Sequence, residues 1–212
     1  MPKQTFFNLP DSKQQRIMKA AINEFAVHPY LKTSINRIIE KADISKGSFY
    51  QYFNNKKDLY KYIIEQASEE KIQFLNNRLK DYQDYNFFKM LRELFIVSIQ
   101  FKNEYPLYSE IGDRLLNGAN DALKEEIYTE SRPRSNEFFE KILKSAVKKG
   151  EIDPAVDIEF TAYMLTDFSM SIVNYFFEKH NPDNLEEIMD YVDKMLYIMK
   201  NGIAKGEKNV TN

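Results

Sequence analysis

Only six glycines and seven prolines interrupt 212 residues. A chain that reverses so seldom cannot supply the closely spaced turns of a sandwich or barrel, and it favours long helices. The apolar residues agree. Ile17, Ala21 and Phe25 recur at steps of four, as do Phe49 and Phe53, and then Leu59, Ile63 and Ala67. That repeat marks one face of a helix, whereas a half-buried strand alternates residue by residue. Hydrophobic residues make up 43% of the chain, enough to bury a sizeable core and to argue against global disorder. The fold class read from these features is all-α.

The punctuation places the elements. A first helix is expected over Asp11–Val27, capped by Asp11 or Ser12 after Pro10 and ended by His28-Pro29, because a residue before proline avoids the helical region. A second begins at Thr33-Ser34, either of which can cap it, and carries the stripe Ile35, Ile38, Ile39, Ala42. Ala42-Asp43-Ile44 separates it from a third, capped by Ser45, whose Phe49 and Phe53 face inward. Asn54-Asn55 breaks the chain and can cap a fourth helix, with Asp58 in a capping-box-like position; that helix runs to about Leu79. Further helices are expected near 86–103, 106–117, 120–149, 155–180 and 184–202, with Pro133 kinking or splitting the 120–149 element. From Phe160 to Phe177 the sequence is apolar nearly all round, as for a helix buried on every side.

Several chemistries are poorly supplied. There is no Cys, hence no disulfide and no thiolate metal site. The two histidines, His28 and His180, lack ligand spacing, and no glycine-rich phosphate loop is present. Carboxylate pairs such as Glu69-Glu70, Glu125-Glu126 and Glu186-Glu187 are adjacent and so point apart on a helix. No catalytic set, metal or cofactor is expected, and the chain does not read as an enzyme. The N-terminus has no apolar signal core, and no stretch approaches the roughly 18 apolar residues of a membrane span. A soluble, cytoplasmic protein with no membrane partner is the expectation.

Charge is unevenly placed. Residues 1–61 carry eleven Lys or Arg and five acids, while the remainder carries 19 and 27. A basic end on an acidic body suits contact with a polyanion. Within that end, TSINRIIEKADISKGSFYQYFNNKKDLY (Thr33 to Tyr60) outlines two short helices around a tight turn, the plan of a helix-turn-helix whose last helix enters the major groove. With Phe49 and Phe53 assigned to the core, that helix offers Lys46 for phosphate or guanine, Gly47 for close backbone approach, Ser48 and Gln51 for base edges, and Tyr50 and Tyr52 for phosphates or thymine methyls. Lys46, Lys56 and Lys57 each sit in the first turn of a helix, where a cation is disfavoured by roughly 0.3–1 kcal/mol. Phosphates arriving at those ends would explain the placement.

Residues 11–60 resemble the DNA-binding domain of the tetracycline-repressor (TetR) family of bacterial regulators, through IMKAAINEFA, TSINRIIEKA and above all SKGSFYQYFNNKKDLY. The resemblance implies a helix-turn-helix domain over residues 1–60 and a larger helical regulatory and dimerisation domain over 61–212. It implies that Thr33 caps the second helix and touches phosphate, that Lys46, Gly47, Ser48, Tyr50 and Gln51 line the groove, and that Tyr52 and Lys56 hold the DNA backbone. Two positions depart from the family pattern: His28-Pro29-Tyr30 stands where Gly-Tyr is usual, and Asp43 stands where the turn usually has Gly. Asp tolerates positive φ better than most residues, so the turn is expected to survive.

The resemblance further implies a homodimer on a near-palindromic double-stranded DNA operator, with the last two helices forming the dimer interface and repression as the default. Ile188, Val192, Met195 and Met199 form the stripe expected to meet the partner. Candidate lining residues for an effector are Phe95, Tyr105, Tyr108, Phe138, Tyr163, Met164, Asp167 and Phe168, a mainly apolar and aromatic set suited to a small apolar or aromatic molecule. Filled core is the competing reading for these side chains. A rival role for the whole chain is the same DNA-binding scaffold controlled by a protein partner instead of a small molecule.

Overall fold

The computed structural model describes residues 1–80, 84–118, 120–180 and 187–203, and among them every regular element is helical. In chain order these are α1 (Gln4–Phe7), α2 (Asp11–Val27), a 3-10 turn (Tyr30–Lys32), α3 (Ile35–Ala42), α4 (Lys46–Tyr52), α5 (Lys56–Leu79), α6 (Phe87–Glu104), α7 (Pro106–Asn117), α8 (Asp121–Lys148), α9 (Ile158–Lys179) and α10 (Ile188–Asn201). The all-α expectation therefore holds. Helix α1 and the 3-10 turn were not anticipated, and residues 184–186 of the last expected helix lie outside the described residues. No helix among the described residues is long and apolar enough to cross a membrane.

The chain divides into two compact units. The first joins Met1–Arg78 to Ser98–Ser135. Its core gathers Phe6, Ile17, Ala21, Phe25, Ile38, Ala42, Phe49, Phe53, Leu59 and Ile63 with Ile111, Leu123 and Ile127, all nearly inaccessible to solvent. Helix α7 packs along α2, and the Arg114 guanidinium donates to the Ala26 carbonyl at 2.7 Å, satisfying one of the orphan carbonyls at the end of α2. Between α5 and α8 lies a run of ion pairs. Lys57 and Lys61 meet Glu126, Lys61 also meets Glu130 at 2.6 Å, and Arg134 meets Glu65 and Glu69.

The second unit joins Leu79–Val97 to the chain from Asn136 on. Phe87, Leu91, Leu94, Val97, Leu143, Ala162, Leu165, Phe176, Ile188, Val192 and Leu196 are among its buried side chains. Arg92 grips Asp193 with two parallel bonds of 2.7 and 3.1 Å, fixing α10 against α6. His180 stacks on Phe176 and shares a 2.8 Å hydrogen bond with the Tyr191 hydroxyl.

Three expectations need correction. Helix α8 is not split at Pro133: it is continuous from Asp121 to Lys148. Pro133 is exposed, so the carbonyl that loses its donor can turn to water instead of being stranded. Helix α9 is not buried all round: Phe160 is 61% and Tyr175 48% exposed, while Ala162, Leu165, Thr166 and Phe176 are buried. On α10, Ile188 and Val192 point into their own unit and are at most 5% exposed. Met195 and Met199 are half-buried, and the exposed apolar residues there are Tyr197 and Ile198, a rotation of the stripe that one helix's periodicity cannot fix without its neighbour.

Candidate nucleic-acid interface

The local chemistry of the helix-turn-helix follows from side-chain caps. The Ser34 hydroxyl accepts from the Arg37 amide at the start of α3. At its end Asp43 adopts the left-handed conformation, φ 48° and ψ 58°, and the amides of Asp43 and Ile44 return to the Glu40 and Ile39 carbonyls at 3.2 Å. This is the closure that glycine usually provides. The Ser45 hydroxyl then accepts from the Ser48 amide at 3.0 Å and starts α4.

Helix α4 is anchored by Phe49 and by Phe53 just beyond it, both 0% exposed. Its outer face carries Lys46, Gly47, Tyr50 and Gln51, all exposed and spaced at three and four residues. Lys46 makes no hydrogen bond or ion pair with the described residues. Gly47 is unusual in a different way. A Cβ added there would meet only the Ser45 hydroxyl, at 3.8 Å, so nothing inside the chain demands glycine, although glycine in a helix costs about 1 kcal/mol relative to alanine. Ser48 is half-buried, its hydroxyl 2.9 Å from that of Ser45.

The remaining proposed contacts lie elsewhere. Thr33 does not cap α3: it is 6% exposed, and its hydroxyl donates to the His28 and Pro29 carbonyls. Tyr52 is 5% exposed and packs against Phe6. The Lys56 ammonium donates to the Tyr30 and Thr33 carbonyls at 2.6 and 3.0 Å and lies over the Tyr30 ring; burial there lowers its pKa. Lys57 pairs with Glu126 at 3.2 Å. The placement of these two lysines at a helix start is thus met within the chain, and the argument from helix-end cations rests on Lys46 alone.

Two features escaped the sequence reading. Glu24 is completely buried between α2 and α3. Its Oε1 accepts from the Ser34 amide at 3.1 Å and from Arg37 Nε at 2.8 Å. Burial would raise its pKa, but the Arg37 and Ser34 hydrogen bonds and the Arg37 and His28 charges hold it below the usual carboxylate range. Its only sequence signal is an acid one residue before Phe25 on the buried side of α2. The second feature is the N-terminal segment ahead of α2, which runs against the end of α4.

The candidate effector residues fall in both units. Tyr105 and Tyr108 belong to the first, where the half-buried Tyr105 stacks on Phe101 at 4.6 Å and meets Phe74 edge-on, and Tyr108 packs partly buried against the core. Phe95, Phe138, Met164 and Asp167 are half-buried in the second unit, while Tyr163 and Phe168 are 36–37% exposed. Tyr163 lines a shallow open depression with Asn136, Asp157, Glu159 and Phe160. Next to Asp167, the buried Thr166 hydroxyl has no hydrogen-bond partner among the described residues, nor has the buried Oδ1 of Asn136.

Comparison with known proteins agrees with this geometry. The model of the family described as bacterial regulatory proteins, tetR family, matches residues 17–63. A TetR family transcriptional regulator from Chloroflexus aurantiacus is similar over 95% of this chain and 98% of its own, at 30% identity and a TM-score of 0.56. The "Probable acrEF/envCD operon repressor" of Escherichia coli K12 is 22% identical over 188 residues, 86% of this chain and 84% of that protein. A transcriptional regulator FadR from Bacillus subtilis, solved in complex with stearoyl-CoA, shares the fold at 18% identity and a TM-score of 0.61, over 90% and 99% of the two chains.

Proposed function

The chain belongs to the TetR family of bacterial transcriptional regulators, a family of regulators and not of enzymes, and from that premise we propose that it acts in the cytoplasm as a homodimeric, ligand-responsive repressor. Residues 1–60 read DNA, and residues 61–212 bind the effector and the second subunit. Lys46, Gly47, Tyr50 and Gln51 enter the major groove, with Ser48 at its edge. Thr33, Tyr52 and Lys56, expected on the DNA backbone, serve instead to hold the helices of this domain in place through their contacts within the chain.

The observation that carries this reading is the outer face of α4: a lysine, a glycine, a tyrosine and a glutamine together, exposed and held by a buried Phe pair. A glycine unneeded within the chain makes sense where a DNA backbone or base edge must come close. Dimerisation follows from the need to present two such helices to half-sites roughly 34–36 Å apart. The exposed rings of Phe160, Tyr175 and Tyr197 on α9 and α10 supply apolar surface for it. The effector is small and mainly apolar, with a polar group to satisfy the Thr166 hydroxyl. The stearoyl-CoA bound by the B. subtilis regulator makes long acyl thioesters the first compounds to try.

The test is selection of duplexes from a randomised library by the purified chain. Enrichment of a near-palindrome with half-sites about one helical turn apart, and its release by a compound that also raises the melting temperature, is the expected result. Recovery of unrelated sequences would overturn the assignment of α4 as a reading helix.

A further inference from the structure

Helix α4 has only seven residues, too few to hold itself together, and its last carbonyls have no partner within the helix. In this chain they are taken up by a segment that precedes the helix-turn-helix. The Lys3 ammonium donates to the Tyr50 carbonyl at 2.8 Å. The Thr5 hydroxyl donates to the Gln51 carbonyl. The Lys3 amide donates to the Tyr52 carbonyl at 2.8 Å. Three consecutive carbonyls at the end of α4 thus receive three donors from residues 3–5.

The segment is itself pinned on both sides. Phe6 is 1% exposed, with its ring 5.1 Å from that of Phe53 and 5.9 Å from that of Tyr62. Behind it, the Gln14 side-chain amide donates to the Leu9 carbonyl at 2.9 Å and to the Phe7 carbonyl, tying the segment to α2. Two of the residues whose carbonyls are gripped, Tyr50 and Gln51, are those whose side chains point outward from α4.

We propose that Lys3, Thr5 and Phe6 are positioning residues for operator reading: the N-terminal segment clasps the carbonyl end of α4 and fixes the angle at which Tyr50 and Gln51 meet the bases. This rests on the reading of α4 as the DNA-reading helix. The clasp acts without touching DNA. A base contact is directional, so a loosened helix forfeits specific affinity first, while non-specific attraction by the phosphates is unaffected.

The test uses the full-length protein and the duplex it selects best from a randomised library, beside a scrambled duplex. Thr5→Val removes one donor at constant shape and charge; Lys3→Met with Thr5→Val removes two. The expected result for the double variant is an affinity loss of about tenfold on the selected duplex. Affinity for the scrambled duplex and the salt dependence should be unchanged, with faster hydrogen exchange at the Phe53 amide. Thr5→Val alone should show the same pattern at smaller size. Equal losses on both duplexes, with the salt slope reduced by about one, would mean that Lys3 contacts phosphate directly and would overturn the clasp. Undiminished selected-duplex affinity in both variants would overturn the clasp and leave the reading of α4 intact. A wild-type chain that binds no duplex would overturn both.

Discussion

Replacing Glu24 by glutamine keeps the shape of the side chain and one acceptor oxygen but removes a charge that sits fully buried between α2 and α3. The carboxylate accepts from the Ser34 amide and from Arg37 Nε, and Arg37 Nη2 completes the ion pair. Hydrogen bonds to a charged group contribute about 1.5–3 kcal/mol against about 1 for neutral ones, so the variant should lose about 2 kcal/mol. In a chain of this size each kcal/mol moves the midpoint by about 2–4 °C, which gives a drop of about 4–8 °C at pH 7 by calorimetry. The pH dependence supplies a second reading. The hydrogen bonds and the Arg37 and His28 charges hold the Glu24 pKa below its ordinary value of 4.5 despite burial, and Lys41 stands 3.9 Å from its second oxygen. Its contribution is therefore complete above that value and is lost as the pH falls through the lower folded-state value. The gap between wild type and Glu24→Gln should close in acid. A variant that melts within about 1 °C of wild type at pH 7, or a gap unchanged at about pH 3.5, would refute the reasoning.

Other expectations are smaller. Asp43→Gly relieves the left-handed backbone at φ 48° and should raise the melting temperature by about 1–3 °C, whereas Asp43→Val should lower it. Lys61→Met removes the shared partner of Glu126 and Glu130; the ion pairs outweigh burial and hold the Lys61 pKa above its ordinary value. The resulting loss of melting temperature should shrink in about 1 M salt. Phe160→Glu together with Tyr197→Glu places charge on the outer faces of α9 and α10. It should give a folded monomer by sedimentation, with weakened operator binding; a dimer of unchanged strength would move the interface elsewhere.

What the sequence disclosed was local. The steps of four in Ile17, Ala21 and Phe25 place α2, and the tolerance of Asp for positive φ accounts for a turn without glycine at residue 43. Ser45 caps α4 as its position before the helix suggests. What stayed hidden depends on groups distant in the chain. Lys56 reads as a phosphate ligand until the carbonyls of Tyr30 and Thr33, 26 and 23 residues away, are seen to receive it. Tyr52 reads as exposed until Phe6 covers it. The residues that hold the end of α4 lie 46 and 47 positions upstream of the carbonyls they cap. Likewise the outward face of α10 is settled by which residues α9 and α6 take, and no single-helix pattern contains that.

The most direct measurement is a titration of the purified chain onto fluorescent duplexes from the DNA upstream of its own gene. It should be run at several salt concentrations beside a scrambled duplex and repeated with Tyr50→Ala, which removes an exposed ring from α4. Salt-dependent binding that favours the native duplex, with the preference lost in a variant of unchanged melting temperature, is the predicted result. A folded wild-type dimer that binds neither duplex, or a Tyr50→Ala variant that keeps the full preference, would contradict the assignment of α4 as the helix that reads DNA.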